Sequence, residues 1–353
     1  MDYKILIINP GSTSTKIALY NNDKEFFSEN VSHPQEEIDK LGSLLDEIPM
    51  RRKHVLEALE RHGVNVPDLS VVMGRGGLFP PIRAGGYIVN QNMLNLVYGG
   101  TLPVHASNLG CVLADEIAKE AGVNAYIYDA ESSDELIEVA KITGMKEIVR
   151  RSLCHVLNSK AVSRWYAESH GKKYEDINLL VAHLGGGITC SAHRHGKIVD
   201  SLSDDNGPFS PERSGGVPLM DLIDMCYSGD YTKKEMQKKV RGQGGLRDLL
   251  GTSDGHEISE RMANGDERAV LVMEALAYQV AKGIAMLAPS LKGQFEAVIL
   301  TGGLANSKFL VDKIKEYISW IGPVEVLPGE HEMQALALGG LRIVRDGENV
   351  SDM

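Results

Sequence analysis

The sequence predicts an α/β protein of two domains built on a duplicated plan. The chain is 353 residues long, more than one hydrophobic core comfortably serves. Short apolar runs with strand character alternate along it with segments of helical periodicity. An apolar strand, a glycine loop and a second strand occur at 5–8, 9–16 and 17–20, and the same succession returns half a chain later at 179–182, 183–187 and 188–193. The expected domains are 1–150 with 333–353, and 151–332.

In the first domain strands are expected at 4–9, 16–20, 70–73, 86–90 and 125–128. A helix is expected over 34–48, where Ile38, Leu41, Leu44, Leu45 and Ile48 share a face, and a second over 49–62, stopped by Gly63. Ser107 reads as the cap of an apolar-periodic helix through Leu109, Val112, Leu113 and Ile117, ending near Gly122. Ser132-Ser-Asp-Glu135 has the spacing of a capping box that opens a helix running to about Ile142. A long helix is expected over 152–170. The second domain continues past its hairpin with a Pro-, Gly- and Ser-rich loop over 204–218 and an apolar helix over 266–287. A strand at 297–300, a helix over 307–320 and a strand at 324–327 follow. The last helix, 332–345, would pack back on the first domain.

Composition narrows the function. No apolar run approaches the ~20 residues of a membrane span, and the opening residues lack the basic-then-apolar order of a secretory signal. Cys111, Cys154, Cys190 and Cys226 are far apart, form no CxxC pair and read as buried cytosolic thiols. These features lead us to expect a cytoplasmic protein without a membrane partner. A formal net charge of −11 argues against a nucleic-acid surface, which needs clustered Lys and Arg. The basic stretches 50–53 and 233–239 read as solvated helix faces. An acidic protein that binds an anion must concentrate positive potential locally, and Lys16, Arg75 and Arg213, each beside glycine or turn residues, are placed to do so.

The first loop, Asn9-Pro-Gly-Ser-Thr-Ser-Thr-Lys16, departs from the P-loop pattern: no second glycine precedes Lys16, and a strand rather than a helix follows. Its hydroxyls, its backbone N–H groups and the Lys16 ammonium suit a phosphate. Two further glycine loops, His183-Leu-Gly-Gly-Gly187 and Thr301-Gly-Gly-Leu-Ala305, also follow apolar strands. Arg75 in Gly74-Arg-Gly-Gly77 has a planar fork that matches a carboxylate or phosphate, with a structural salt bridge as the alternative. Arg213 lies in a loop stiffened by Pro208 and Pro211. Asp129 ends a strand, where open α/β sheets place ligand groups, and Ser132 as the helix cap would leave it clear for chemistry. His155 is expected inside a helix, where a core histidine is the alternative. His193 and His195 flank a turn without a third metal ligand at suitable spacing and read as solvated, and His331-Glu332 lacks the second histidine of a zinc-protease motif.

Taken together, these motifs with Pro208-Phe-Ser-Pro-Glu-Arg-Ser-Gly215 resemble the acetate and butyrate kinase family of the actin-like ATPase superfamily. The resemblance runs from Ile5 to about Arg345, and the 208–215 stretch is similar to the butyrate branch. It implies a duplicated actin-like (ribonuclease H-like) fold with an interdomain cleft. The implied reaction is reversible, Mg²⁺-dependent phosphoryl transfer between ATP and a short-chain carboxylate, giving butanoyl phosphate and ADP from butyrate. Branched-chain acids, propionate or acetate are the alternative substrates, and a non-enzymatic actin-like ATPase is the distant alternative. A homodimer or larger assembly is implied.

By the same resemblance Asn9, Ser12, Ser14 and Lys16 form the magnesium and phosphate hairpin, Arg75 binds substrate and Asp129 is catalytic. His155 steadies the phosphoryl group, His183, Gly185, Gly186 and Gly187 form the second phosphate loop, and Arg213 serves the transition state. The nucleotide falls to Asp254, Gly255, His256, Gly302, Gly303, Leu304, Ala305 and Asn306, and Glu332 joins Asn9 in organising magnesium. The chain departs from the family at Ala130-Glu-Ser-Ser133, where small apolar residues are usual, and over 201–206, which is shortened. Both departures fall near the expected acyl pocket.

Overall fold

The computed structural model describes residues 2–203 and 205–353; Met1, and Asp204 at the start of the expected loop, lie outside the described residues. The chain forms two compact units, Met1–Asp134 with His331–Met353, and Glu135–Glu330. The segment 135–150, expected with the first half, bonds within the second: Ile137 N–H donates to Val199 O at 3.0 Å, and Glu135 pairs with Lys160 at 2.7 Å.

The strands of the first unit are β1 (Lys4–Pro10), β2 (Ser14–Asn21), β3 (Lys24–Ser32), β4 (Val71–Arg75), β5 (Gly86–Ile88) and β6 (Ala125–Tyr128). They form one sheet in the order β3-β2-β1-β4-β6-β5. β1, β2 and β3 are antiparallel neighbours, whereas β4 runs parallel to β1 and β6 parallel to β4. Ile5, Leu6, Ile7 and Ile8 are all buried because β1 lies mid-sheet with a helix on each face. The helix Leu109–Ala121 packs Leu109, Val112 and Leu113 into the cluster that holds Leu6, Ile8 and Val72. The helix Glu332–Asp346 lays Gly340 against Met73 and Ile5 on the other face. β3 escaped the sequence reading because Phe27 is its one buried residue, leaving no alternating apolar face to detect.

The second unit carries β7 (Asn178–Leu184), β8 (Ile188–Arg194), β9 (Lys197–Leu202), β10 (Ala297–Gly302) and β11 (Val324–Pro328), in the order β11-β10-β7-β8-β9. β7, β8 and β9 are antiparallel neighbours; β10 runs parallel to β7, and β11 to β10. The plan of the first sheet therefore recurs: three antiparallel strands, then two parallel ones. The helix Glu267–Leu287, capped by Asp266, fills one face with Leu276, Val280 and Ile284, and Val156–Ser169 covers the other with Val162 and Ala167. By length and composition Glu267–Leu291 is apolar enough to cross a membrane, contrary to the sequence expectation. Half of its most apolar window is buried, as the core helix of this unit.

Several local expectations are corrected. The helix over 34–48 is only Gln35–Ile38 and a 3₁₀ turn Leu44–Glu47, since Gly42 and an extended Ser43 interrupt it. Ser107 lies in a 3₁₀ turn, Ala106–Asn108, ahead of its helix. The capping box over 132–135 does not form. Ser132 Oγ donates to Gly77 O at 3.3 Å, and the Glu135 carboxylate that would close the box binds Lys160 and accepts the Ile198 N–H instead. Only Glu138–Lys141 is helical there. Cys226 is exposed, unlike the other three cysteines.

Candidate active site

Three neighbouring parallel strands of the first unit end at expected site residues. Register pairs Ile8 with Gly74 and Arg75 with Tyr128, so Asn9, Arg75 and Tyr128 form a row across β1, β4 and β6, and Asp129 lies one residue past it. Arg75 reaches the row because Gly74 lets β4 press on the helix Leu109–Ala121; a Cβ there would stand 2.2 Å from Gly110 O. Arg75 is 6% exposed and pairs with Glu131 at 2.7 Å and with Glu332. Burial opposes its charge, but the Glu332 and Glu131 carboxylates outweigh burial and raise its pKa above the ordinary value. Glu332 also accepts the Asn9 amide N–H at 3.0 Å. Asp129 is a non-glycine residue at φ +43°, held by Gly85: its N–H donates to Gly85 O, and its Oδ1 accepts the Gly85 N–H at 2.9 Å. Since Ser132 caps no helix, it is this turn that fixes Asp129 at the strand end.

The turn between β1 and β2 is gripped through its carbonyls. Arg51, fully buried on the helix Ile48–Arg61, donates to Gly11 O (2.9 Å), Ser12 O (3.3 Å), Ser14 O (2.9 Å) and Thr15 Oγ1 (2.8 Å). Glu47 neutralises it at 2.7 Å, and the His33 N–H takes Thr13 O at 2.7 Å. With its carbonyls bound inward, the turn presents an exposed Ser12 and a half-buried Ser14 and Lys16. Arg51 was missed because 50–53 read as a solvated basic face. The signal was present: Arg51 shares a helical face with Val55 and Ala58, both buried.

In the second unit, the β7–β8 turn holds His183, Gly185, Gly186 and Gly187. His183 is buried, its Nδ1 accepts from Asn158 Nδ2 at 2.9 Å, and the Nε2 position is thereby left to carry the proton. The same Asn158 nitrogen reaches Thr301 Oγ1 at 3.2 Å, tying the second loop to the third. His155 is the residue before its helix, not within it, and stacks on His183 with ring centroids 3.9 Å apart. Its Nδ1 lies 2.9 Å from Thr189 Oγ1. Arg213 lies over Gly187: a Cβ on Gly187 would fall 2.2 Å from Arg213 Nη1. Ser210 fastens the two loops by donating to Gly186 O at 2.8 Å. His155, His183, Gly187 and Arg213 are thus one cluster, and Asn158, Thr189 and Ser210 are its supports.

The expected nucleotide residues form a second group. Gly302 adopts φ +88° where a Cβ would stand 2.5 Å from Leu184 O, and Gly303–Asn306 is a 3₁₀ turn. Gly255 adjoins Leu304, but the Asp254 carboxylate is spent capping the helix Gly255–Ala263, accepting from the His256 and Glu257 N–H groups. His193, read as solvated, is fully buried and bonded to Tyr174, Ser163 and Ser191, and burial beside Lys160 and Arg164 lowers its pKa to about 3. For a metal, Asn9, Asp129 and Glu332 offer hard oxygen donors. Mg²⁺ takes one or two carboxylates and completes its shell with water and phosphate, so this set fits it.

Two sheets of matching strand plan, each with an antiparallel hairpin closed by a glycine-bearing turn, define an actin-like fold. The family model described as the acetokinase family matches residues 133–334. The chain is 46% identical over 352 residues to butyrate kinase 1 of Clostridium acetobutylicum, covering 99% of both chains. The fold is similar to the acetate kinase of Porphyromonas gingivalis (TM-score 0.78, 18% identity, 97% of this chain and 100% of that one). It is also similar to a propionate kinase of Francisella tularensis (TM-score 0.75, 18% identity, 96% and 98%). The chain belongs to the acetokinase family.

Proposed function

We propose that the protein is a cytoplasmic butyrate kinase that transfers the γ-phosphoryl group of ATP to butyrate, reversibly and with Mg²⁺, and that it works as a homodimer or larger assembly. The observation carrying this reading is the end-to-end match to a butyrate kinase, combined with a buried arginine at the end of β4 and a second arginine seated on a glycine loop. A carboxylate is already an oxygen nucleophile, so the protein must align and neutralise rather than deprotonate. Arg75 holds the carboxylate by its fork. One carboxylate oxygen attacks the γ-phosphorus, the bond from phosphorus to the bridging oxygen of ADP breaks, and ADP leaves with the electron pair. Arg213 and His155 bear on the equatorial phosphoryl oxygens where negative charge accumulates. The Ser12–Lys16 turn and the Gly185–Gly187 loop cradle the phosphates, and the Gly302–Asn306 turn with Gly255 and His256 takes the nucleoside. Mg²⁺, held through Asn9, Asp129 and Glu332, supplies charge neutralisation on the phosphate oxygens when bound.

The test is hydroxylamine trapping of acyl phosphate from ATP with straight and branched C2 to C6 acids. Butyrate is expected among the best substrates. Each methylene discriminates by only ~1–3 kcal/mol, so neighbouring acids should also react. An acetate preference would move the assignment within the family, and no acyl phosphate from any acid would end it.

A further inference from the structure

Arg75 is the group to which the proposed function assigns the substrate carboxylate, yet in this structure its fork is taken. Glu131 Oε1 stands 2.7 Å from Nη2 and Glu332 is on Nη1, so one cation faces two anions. A third carboxylate that takes Nη2 must displace Glu131. The two occupants are not equally held. Glu332 also accepts the Asn9 amide, opens the helix Glu332–Asp346, whose N-terminal dipole favours a carboxylate, and has a side chain 14% exposed. Glu131 sits in the connection after Asp129 with its side chain 27% exposed, and among the described residues Arg75 is its partner. The Arg75 Nε atom, buried without a hydrogen-bond partner, marks a fork whose donors these two carboxylates do not fully satisfy.

Resting on the carboxylate-kinase reading, we infer that Glu131 is a built-in stand-in for the substrate carboxylate. It occupies Nη2 of Arg75 in the free protein and swings out when the acid binds, so it sets the affinity for the acid. The apparent affinity is the intrinsic one reduced by the fraction of protein in which the fork is open. If Glu131 holds the fork nine-tenths of the time, removing it strengthens acid binding about tenfold. Glu332 stays in place throughout and keeps Arg75 aimed.

The test compares the full-length wild type with Glu131→Gln and Glu131→Ala. The alanine variant guards against a residual amide bond to the guanidinium. Two quantities are read: KM for butyrate at saturating ATP by hydroxylamine trapping, and Kd for butyrate by titration calorimetry without nucleotide. Both should fall about tenfold, with no rise in kcat and with KM for ATP unmoved. If Glu131 merely braces Arg75, both variants will bind butyrate more weakly or no differently, and the inference is overturned. Failure of the parent reading looks different: the wild type makes no acyl phosphate from any acid, while the calorimetric comparison still reports whether Glu131 competes for the fork.

Discussion

At Gly187 the absence of one methyl group decides where Arg213 can lie. The position is buried, and its backbone is not in the left-handed region, so alanine is conformationally allowed there. What alanine cannot avoid is Arg213, with Nη1 at 2.2 Å and Cζ at 2.6 Å from the added Cβ. The arginine, being the flexible partner, must move. Gly187→Ala should therefore fold normally, with circular dichroism and Tm near wild type, and lose roughly 10²-fold in kcat, the penalty for displacing a catalytic group by about 1 Å. Arg213→Ala removes the charge itself and should cost ~10³–10⁵ in kcat. Near-wild-type turnover in either variant would withdraw Arg213 from the transition state. Of this cluster, His183, Gly187 and Arg213 were readable in sequence as loop residues, whereas His155 was expected within a helix and precedes it. Their supports were not: Asn158, Thr189 and Ser210 are ordinary polar residues whose roles appear only once the helix Val156–Ser169, β8 and the loop carrying Ser210 meet.

Among the elements, those with a strong period were legible. The central strands β1, β4, β6, β7 and β10 are largely apolar because both their faces are covered, and the sequence places each of them, and the buried β8, within a few residues of where it lies. The polar edge strand β3 and the helix Gln91–Tyr98 were not seen. The expected helix over 34–48 was lost to a breaker at Gly42, and the capping box at 132–135 to tertiary partners of Ser132 and Glu135. The β1–β2 turn teaches the same lesson in reverse, since its rigidity comes from Arg51, some 36 residues from Thr15. Arg51→Met would strand Glu47 and three carbonyls, and breaking a buried pair costs ~3–5 kcal/mol. Adding Glu47→Gln should recover part of that loss. The milder Arg51→Lys keeps the charge but cannot span several acceptors, and it should raise KM for ATP by about tenfold while leaving KM for butyrate nearly unchanged. Equal effects on both substrates would mean that the turn serves both sites.

At the scale of the whole molecule, two properties follow from what is buried and what is not. His193 is fully buried and neutral, its pKa lowered from 6.5 to about 3, with Tyr174, Ser163, Ser191, Lys160 and Arg164 around it. In the unfolded chain it takes a proton below its ordinary pKa, so the unfolded state binds more protons through this window. Its contribution is therefore fully present above pH 6.5 and is lost as the pH falls toward 3, at up to about 1 kcal/mol per pH unit. His193→Gln should flatten that part of the stability–pH curve, measured by urea unfolding; an unchanged slope would assign the acid lability to other groups. The second concerns the association proposed above. On the helix Glu267–Leu287 the inward residues fill the core, but Leu271, Tyr278 and Met286 are exposed, and their spacing of seven and eight residues places them on one stripe. Glu274 and Lys282 interrupt the stripe, and exposed apolar residues rimmed by charge are a natural seat for a second copy of the chain. Light scattering at micromolar concentration should give at least twice the mass of a single chain. Leu271→Glu with Met286→Glu should shift that mass toward the single chain with little loss of Tm, since exposed positions outside an interface tolerate charge. If the double variant keeps the wild-type mass, the stripe is not the interface, and the exposed Leu219, Met220 and Tyr227 of the helix Leu219–Tyr227 become the surface to substitute next. A single-chain mass for the wild type would remove association from the reading altogether.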